Sequence, residues 1–234
     1  MTVTYTLNVR HRPNVNEDIV ERHNRYLKKQ IGIGSPWELS TGPENQFKEK
    51  DVGPGNISSN LMMGRRMGKG VSGSVSYSCR VESYLDDYAK KDDSIILNFK
   101  LRNINYEKLV LTDFPNFVKA FEAYTAEIHI HDYTMHESEA WREFSKTTGD
   151  LRKAIFRIPP VSFYDRMLCQ RAFNLTPEEI VQRLQSKVEQ VYCCYDGVVI
   201  IYSSKPVSEE VYLSVNENIK SSLAKKRRKF FGII

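Results

Sequence analysis

Three of the five histidines in this chain of 234 residues fall within eight positions, at His129, His131 and His136. The residues around them alternate in polarity, so His129 and His131 are expected on one face of a strand, with Glu127 beside them and Asp132 next along the chain. Two imidazoles at this spacing and a carboxylate can bind zinc or another divalent metal. His129, His131 and Asp132 are therefore a candidate metal site, and the rival interpretation is the polar face of a half-buried strand.

A second group of chemically active side chains lies in the sequence GRRMGKG at positions 64–70. It departs from a P-loop because the spacing is G-x-x-x-G-K and because Gly70 stands where Ser or Thr would bind magnesium. The following residues resemble a strand, whereas a phosphate site needs the N-terminal amides of a helix. A weaker anion contact through Arg65, Arg66 and Lys69 stays open beside the interpretation as a solvated loop.

No catalytic nucleophile can be assigned from the sequence. The G-x-S-x-G motif of hydrolases is absent. Cys169 and His23 are too far apart in the chain to form a recognisable motif. Acidic pairs such as Asp86/Asp87 and Asp92/Asp93 are already explained by turn chemistry. The sequence therefore favours a protein that is not an enzyme, without excluding one.

The C-terminus carries five consecutive cations, followed by the apolar residues 230–234; the cations are Lys225, Lys226, Arg227, Arg228 and Lys229. Such a run can contact nucleic acid or an anionic membrane, or it can be the solvated end of a helix whose dipole favours cations there. The tail accounts for the net charge of +5, because the remaining residues carry 29 basic and 29 acidic side chains. A nucleic-acid-binding domain more often has a basic stripe within its fold.

Composition is that of a globular protein, with 41% hydrophobic and 27% charged residues. The longest apolar runs are about five residues, whereas a membrane span needs roughly 20. The first residues lack the pattern of a signal peptide. The four cysteines have no C-x-x-C spacing, so we expect reduced thiols in a cytoplasmic protein.

The element that organises the predicted fold is residues 189–204. Two β-rich runs, Val191–Tyr195 and Val198–Tyr202, flank Asp196-Gly197, which predicts a hairpin with a type I′ turn. The second run is apolar at every position and predicts a strand covered on both faces, inside a sheet.

Alternating and helical patterns place the other elements in the order β-α-loop-β-β-α-β-α-α-β-β-α, which predicts an α+β fold with a mainly antiparallel mixed sheet and helices packed on it. We expect one domain over residues 1–224, a glycine-rich mobile loop at 32–73 and a separate tail at 225–234. A short helix is expected within 57–67, an irregular stretch at 133–148 and a helix over 163–173. Trp37 is expected to pin the loop to the body.

In its layout the chain resembles the bacterial polymorphic-toxin immunity proteins, specifically the immunity family numbered fifty-two. The stretches that carry the resemblance are Ser35–Leu39, Gly64–Arg66, Ser94–Leu101, Pro160–Tyr164 and Asp196–Ile200, with a closing helix. The resemblance implies a protein that binds a toxin domain in the cytoplasm and neutralises it without chemistry. The neutral body differs from the acidic surfaces that often block basic nucleases.

The resulting hypothesis is a cytoplasmic binding protein with a protein partner and no cofactor. The candidate contact residues combine the glycine-rich loop with the segment from Glu127 to His136; they are Trp37, Arg65, Arg66, His129 and Trp141. The alternatives are a metal-dependent enzyme built on His129 and His131, and an adaptor that binds nucleic acid or membrane through its basic tail.

Overall fold

The fold is described from a computed structural model, which covers residues 3–48, 58–63, 67–82, 85, 89–131, 138–147 and 150–224. Within those ranges the chain forms eight strands; they are β1 (Tyr5–His11), β2 (Ser58–Met62), β3 (Val71–Ser78), β4 (Asp93–Phe99), β5 (Thr125–Ile130), β6 (Val161–Asp165), β7 (Gln190–Cys194) and β8 (Gly197–Ile201). The main helices are α1 (Ile19–Lys29), α2 (Phe114–Ala120), α3 (Ser138–Thr147), α4 (Arg166–Phe173), α5 (Pro177–Leu184) and α6 (Glu209–Leu223).

All eight strands belong to one open sheet with the order β2-β3-β4-β1-β5-β6-β8-β7. Each pair of neighbours in this order is antiparallel. Helices pack on both sides, so the predicted α+β class is confirmed.

The inner face of the sheet holds the larger core. Alternate residues of the central strands, such as Leu7, Leu97 and Ile128, are buried against the apolar sides of α1 and α2. A π-helical turn, Leu109–Asp113, leads into α2. The side chain of Trp37 packs edge-on against Phe99 in this core, at 5.4 Å between ring centroids.

The outer face has a core of its own at the end of the sheet that contains β8. Val198 and Ile200 of β8 pack there with residues of α4, α5 and α6, while Val199 and Ile201 face the inner core. All five residues of β8 are buried. The prediction of a strand covered on both faces, inside the sheet, is therefore confirmed.

The hairpin between β7 and β8 is also confirmed, but its turn lies one residue earlier than predicted. Cys194 pairs with Gly197, so the two turn residues are Tyr195 and Asp196. Tyr195 has the positive φ, +55°, that was expected further along the chain. Gly197 serves a different purpose, because a Cβ there would lie 2.2 Å from the carbonyl oxygen of Tyr164 on β6.

Three other elements differ from the sequence predictions. The expected helix within 57–67 is the edge strand β2, which pairs with β3. The expected irregular stretch at 133–148 contains α3. The helix expected over 163–173 begins only at Arg166, because Val161–Asp165 is taken into the sheet between β5 and β8. In each case a contact with a distant part of the chain decides the local structure.

Helix capping follows the sequence closely at two helices. Thr176 and Glu179 form the reciprocal capping box of α5, and Ser208 caps α6. Asp113 precedes α2 but does not cap it with its side chain, because its carboxylate accepts hydrogen bonds from the Trp37 indole and the Lys108 ammonium, at 3.1 and 2.6 Å. The predicted role of Trp37 as an anchor agrees with this contact. No helix in the described ranges has the length and apolar character to cross a membrane.

Candidate binding pocket and open sheet face

A pocket of about 340 Å³ lies on the outer face of the sheet, over the junction of β1 and β5. The segment at 151–157 and the helices α3 and α6 form its other walls. Its polar lining consists of Asn8, Arg10, Thr125, Glu127, His129 and Arg157. Its aromatic lining consists of Trp141, Phe156, Tyr164 and Tyr212.

Strand alternation explains why polar side chains meet here. Leu7 and Val9 point into the inner core, so Asn8 and Arg10 project from the outer face. The antiparallel register places Asn8 opposite Glu127, which shares its face of β5 with His129. The sequence predicted the polar face of β5 but not the strand that would lie beside it.

Glu127 and His129 form the ionisable pair of the pocket, with 3.3 Å between His129 Nδ1 and Glu127 Oε1. Partial burial favours the neutral acid, but the imidazole of His129 and the guanidinium groups of Arg10 and Arg157 outweigh it and lower the pKa of Glu127. Glu127 is therefore a carboxylate at neutral pH.

Arg10 is held in place from behind the pocket by a buried ionic cluster. Its Nη1 donates to the buried Asp92 carboxylate at 3.0 Å and to the Ala89 carbonyl oxygen at 3.0 Å. Arg152 and the Tyr124 hydroxyl donate to the same carboxylate, at 2.7 and 2.5 Å. Burial and the Asp92 charge raise the pKa of Tyr124, so that its hydroxyl stays a donor.

Aromatic rings form the rim of the pocket. Trp141 stacks on Phe144 and meets Phe156 edge-on, at 5.6 and 5.2 Å between centroids. Arg157 lies between the rings of Phe156 and Tyr212 and donates to the Tyr212 hydroxyl at 3.0 Å. Trp141 is 42% exposed, so this rim is accessible.

The sequence-predicted contact residues are divided between different places. His129 and Trp141 both line the pocket. Trp37 is 1% exposed and belongs to the inner core, so its burial removes it from any contact surface. Arg65 and Arg66 lie outside the described residues, as do the tail residues Lys225, Lys226, Arg227, Arg228 and Lys229.

The predicted metal site is not assembled by the residues that the structure describes. His129 Nδ1 faces Glu127, and His131 Nδ1 lies 3.2 Å from the Thr6 hydroxyl. Asp132 and His136 lie outside the described ranges. The metal site at His129 and His131 therefore stays a prediction.

A different cluster has metal-ligand atoms within 4.8 Å of one another, namely His11, Glu17 and Asp93. Arginines already neutralise its carboxylates, since Arg80 donates to both oxygens of Asp93 at 2.9 and 2.7 Å. The Nε of Arg22, a fully buried side chain, lies 3.7 Å from Glu17. This cluster is an ion-pair network that joins α1 to β1 and β4, and sequence spacing gave no sign of it.

The two groups considered as a catalytic pair lie on opposite sides of the sheet. Cys169 packs in the outer core, where burial raises the pKa of its thiol to about 12. His23 contacts the Tyr77 hydroxyl and the Asn45 carbonyl oxygen near the inner core, and burial lowers its pKa to about 4. The thiol therefore stays protonated near neutral pH, and the imidazole is neutral but too weakly basic for a general base, whose pKa should lie near the working pH.

Beside the pocket, the outer face of β2, β3 and β4 is open. We call it the serine face; it consists of Asn60, Met62, Ser72, Ser74, Ser76, Ser94, Ile96 and Asn98. Met62 is 71% and Ile96 38% exposed, so both present apolar surface to solvent. Cross-strand rows such as Met62–Ser74–Ile96–Asn8 lead from this face to the pocket.

Comparison with known proteins gives few matches. No protein-family model matches the chain, and no curated protein matches it. The solved structure of the Pseudomonas aeruginosa T6SS protein PA0821 aligns with 95% of this chain and 73% of its own, with 14% identical residues and a TM-score of 0.49. At this level of similarity, function has to be argued from the residues of this chain.

Proposed function

We propose that this chain is a non-enzymatic binding protein, an immunity protein that neutralises a toxin domain in the cytoplasm by direct contact. The observation that carries the proposal is the open serine face, an exposed sheet surface with hydroxyl and amide groups around exposed Met62 and Ile96. Protein interfaces are poor in charge at their centre and enriched in methionine and aromatic residues. The serine face and the neighbouring Trp141 have this character.

The same face is a poor match to the other binding functions. Nucleic acid needs lysine and arginine opposite its phosphates. Along the row Asn60–Ser76–Ser94–Arg10, the first cation is met only at β1, at the edge of the face. A basic nuclease toxin would also prefer a negative surface, so we expect a partner whose contact area is close to neutral.

The width of the serine face sets its part in an interface. Three strands at a separation of about 4.8 Å span about 10 Å, and their length is roughly 17–26 Å at about 3.3 Å per residue, so the face covers roughly 170–260 Å². A partner in a standard complex buries roughly 800 Å². The face would therefore form the centre of the contact, and neighbouring segments would supply the rim. His129 and Trp141 on one side of it belong to this proposal.

The test uses the toxin domain encoded beside this chain in the source genome, if such a reading frame is present. Ile96→Arg places a charge in the centre of the serine face and should weaken the complex by at least about tenfold, or 1.4 kcal/mol. Leu213→Arg is the matched control, because Leu213 is an apolar residue 48% exposed on α6, away from this face. It should leave the affinity within about threefold of the wild type, since substitutions outside an interface are close to neutral.

Growth of cells that express the toxin domain gives the second readout. The wild type and Leu213→Arg should restore growth, and Ile96→Arg should restore it poorly at equal protein levels. Equal protection by both variants would place the contact elsewhere and contradict the assignment of the serine face. The absence of any toxin-like reading frame or binding partner would contradict the function itself.

A further inference from the structure

The pocket over β1 and β5 has the size of a small-molecule site, and only its rim takes part in the proposed protein contact. Its volume of about 340 Å³ lies in the range of roughly 300 to 1,000 Å³ that ligand sites occupy. The hydrogen-bonding groups on its sheet side and the rings on its other side decide which ligand it can take.

Two hydrogen-bond acceptors stand side by side at the sheet end of the pocket. Asn8 on β1 lies directly opposite Glu127 on β5, and both line the pocket. The Cβ atoms of such cross-strand pairs are about 4.5–5.5 Å apart. Asn8 Oδ1 is buried without a hydrogen-bond partner among the described residues. Glu127 is a carboxylate whose close partner there is His129, with 3.3 Å between Oε1 and Nδ1. This end of the pocket therefore needs donors from a ligand.

A donor lies one step along β1 from these acceptors. Arg10 projects from the same face of the sheet as Asn8, because side chains two residues apart on a strand share a face. Its Nη1 donates to Asp92 and to the Ala89 carbonyl oxygen, whereas its Nε is buried without a partner in the described ranges. Since buried polar groups without partners are costly, a fitting ligand offers donors to Asn8 and Glu127 and an acceptor to Arg10.

This pattern disfavours simple anions and simple cations alike. A carboxylate or phosphate has mainly acceptors, so it would leave Asn8 Oδ1 without a donor and would meet the like charge of Glu127. An ammonium group has only donors, so it would leave the Nε of Arg10 without an acceptor. A neutral group with donors and an acceptor side by side can serve all three residues.

The other end of the pocket is apolar and aromatic. Its walls there are the side chains of Trp141, Leu151, Ala154, Ile155, Phe156 and Leu168. Trp141 and Phe156 meet nearly at right angles, with 82° between their ring planes, and Trp141 is 42% exposed. Aromatic groups favour offset stacking and edge-on contact, and both are offered by these walls. They favour a flat ring whose polar edge faces the strands.

Donors and an acceptor occur in the required order on the 2-amino-4-oxopyrimidine edge that guanine and pterins share. The amino group and the ring N–H of this edge donate in parallel, which matches the geometry of a carboxylate, and the carbonyl oxygen beside them accepts. Adenine has no ring N–H on the corresponding edge, and hypoxanthine has no amino group there. Bases of this kind are commonly bound by stacking on aromatic side chains and by hydrogen bonds to this edge.

We propose that this pocket binds a guanine or pterin ring through its 2-amino-4-oxopyrimidine edge. The amino group and the ring N–H donate to Glu127 and Asn8, and the carbonyl oxygen accepts from Arg10. The ring itself packs against Trp141 and Phe156. The assignment rests on the lining of the pocket and does not depend on the proposed protein partner, so it adds a ligand site to a chain whose proposed function needs none.

The experiment measures the binding of guanosine and of pterin to the full chain by isothermal titration calorimetry. Each has a matched control ligand that lacks the amino group, namely inosine for guanosine and lumazine for pterin. We expect at least one of the two to bind at least about tenfold more tightly than its control, a difference of 1.4 kcal/mol. The tighter of the two identifies the source of the ring. Undetectable binding of both, or binding no tighter than that of the control ligands, would overturn the proposal.

Variants locate the site. Glu127→Gln should weaken the bound ligand about tenfold and reduce its preference over the control ligand to less than about threefold, because one carboxylate oxygen becomes a donor. Ala154→Phe should block binding by filling the apolar end. Glu178→Gln is the matched control and should bind like the wild type, because Glu178 pairs with Arg166 in solvent outside the pocket.

A thermal melt shows which variants are folded. If either folded Glu127→Gln or folded Ala154→Phe bound the ligand as tightly and as selectively as the wild type, the ligand would lie elsewhere and the assignment would be wrong.

Discussion

Trp37 and Trp141, the two tryptophans of the chain, have opposite environments. Trp37 is 1% exposed and donates its indole N–H to the buried Asp113 at 3.1 Å, whereas Trp141 is 42% exposed on the rim of the pocket. The sequence singled out both as contact candidates, because residue type alone does not report burial. Because their burial differs, substitutions of the two tryptophans should change the free energy of unfolding by different amounts.

Trp37→Phe should lower the free energy of unfolding by about 1–3 kcal/mol, because the ring loses volume and the Asp113 carboxylate loses a buried donor. Trp141→Phe is the matched control and should change it by no more than about 0.5 kcal/mol. Urea unfolding followed by circular dichroism measures both. Equal losses for the two variants would contradict the different burial of the two rings.

Glu17 links stability to pH. Burial favours its neutral form, but the neighbouring His11, Arg22 and Arg25 outweigh it and lower the pKa of Glu17 from 4.5 to about 2. A pKa that is lower in the folded state adds stability above pH 4.5, and this stability is lost as the pH falls toward 2. Glu17→Gln should therefore destabilise the protein at pH 6, and its difference from the wild type should shrink at pH 3.

The exposed ion pair of Glu178 is the control for the partly buried ion pairs of Glu17. Glu178 pairs with Arg166 at 2.7 Å and also has a pKa of about 2, but this pair lies in solvent. Salt screens exposed pairs much more than partly buried ones. Glu178→Gln should have a smaller effect at pH 6 that disappears in 0.5 M NaCl, while the Glu17→Gln effect persists. Chemical unfolding at low salt and in 0.5 M NaCl measures both variants. If 0.5 M NaCl removed the destabilisation by Glu17→Gln as well, the Glu17 ion pairs would be as exposed to salt as the Glu178 pair.

At the scale of elements, β6 and β8 approach closely at Gly197. A Cβ there would meet the Tyr164 carbonyl oxygen at 2.2 Å and the Phe163 ring at 2.7 Å. Gly197→Ala should destabilise the fold by about 1–3 kcal/mol, the usual cost of overpacking. Gly42→Ala is the control, because the three atoms nearest to its Cβ all belong to the movable Glu44 side chain. Thermal melts compare the two variants, and equal stability would contradict the close approach.

The elements that follow most directly from the sequence are those defined by local chemistry. The capping box at Thr176 and Glu179, the apolar run of β8 and the alternation of β1 each follow from a few neighbouring residues. The elements that it missed depend on distant partners. Residues 161–165 become β6 because β5 and β8 lie on either side, and α3 forms where Trp141 and Phe144 can pack on Phe156.

The candidate site shows the same division. Alternation predicted that Glu127 and His129 share a face of one strand. It could not predict that Asn8 and Arg10 of β1 would lie beside them, or that residues 151–157 would close a pocket over them. A contact between positions more than a hundred residues apart leaves no periodic signal in a single sequence. The ion-pair network around Glu17 is hidden for the same reason.

At the scale of the whole molecule, the charge of the C-terminal tail distinguishes the proposed toxin binding from the alternative, binding of nucleic acid or membrane through the tail. The ten C-terminal residues account for the net charge of +5, and without them the chain is neutral. Deletion of Lys225–Ile234 should leave the affinity for the toxin domain within about threefold of the wild type, since the serine face is uncharged. Calorimetry at two salt concentrations measures this. A tenfold loss, together with loss of a steep salt dependence, would instead support binding through the tail.

An immunity protein of the proposed kind acts by occupying its partner and not by chemistry. The most direct measurement is a titration of the purified toxin domain with this chain, in which residual toxin activity is followed against the molar ratio of the two proteins. Neutralisation by binding predicts a linear loss of activity that ends at a fixed stoichiometric ratio and does not progress with time. Complete inactivation by a small fraction of one equivalent, increasing with incubation, would show turnover and contradict neutralisation by binding.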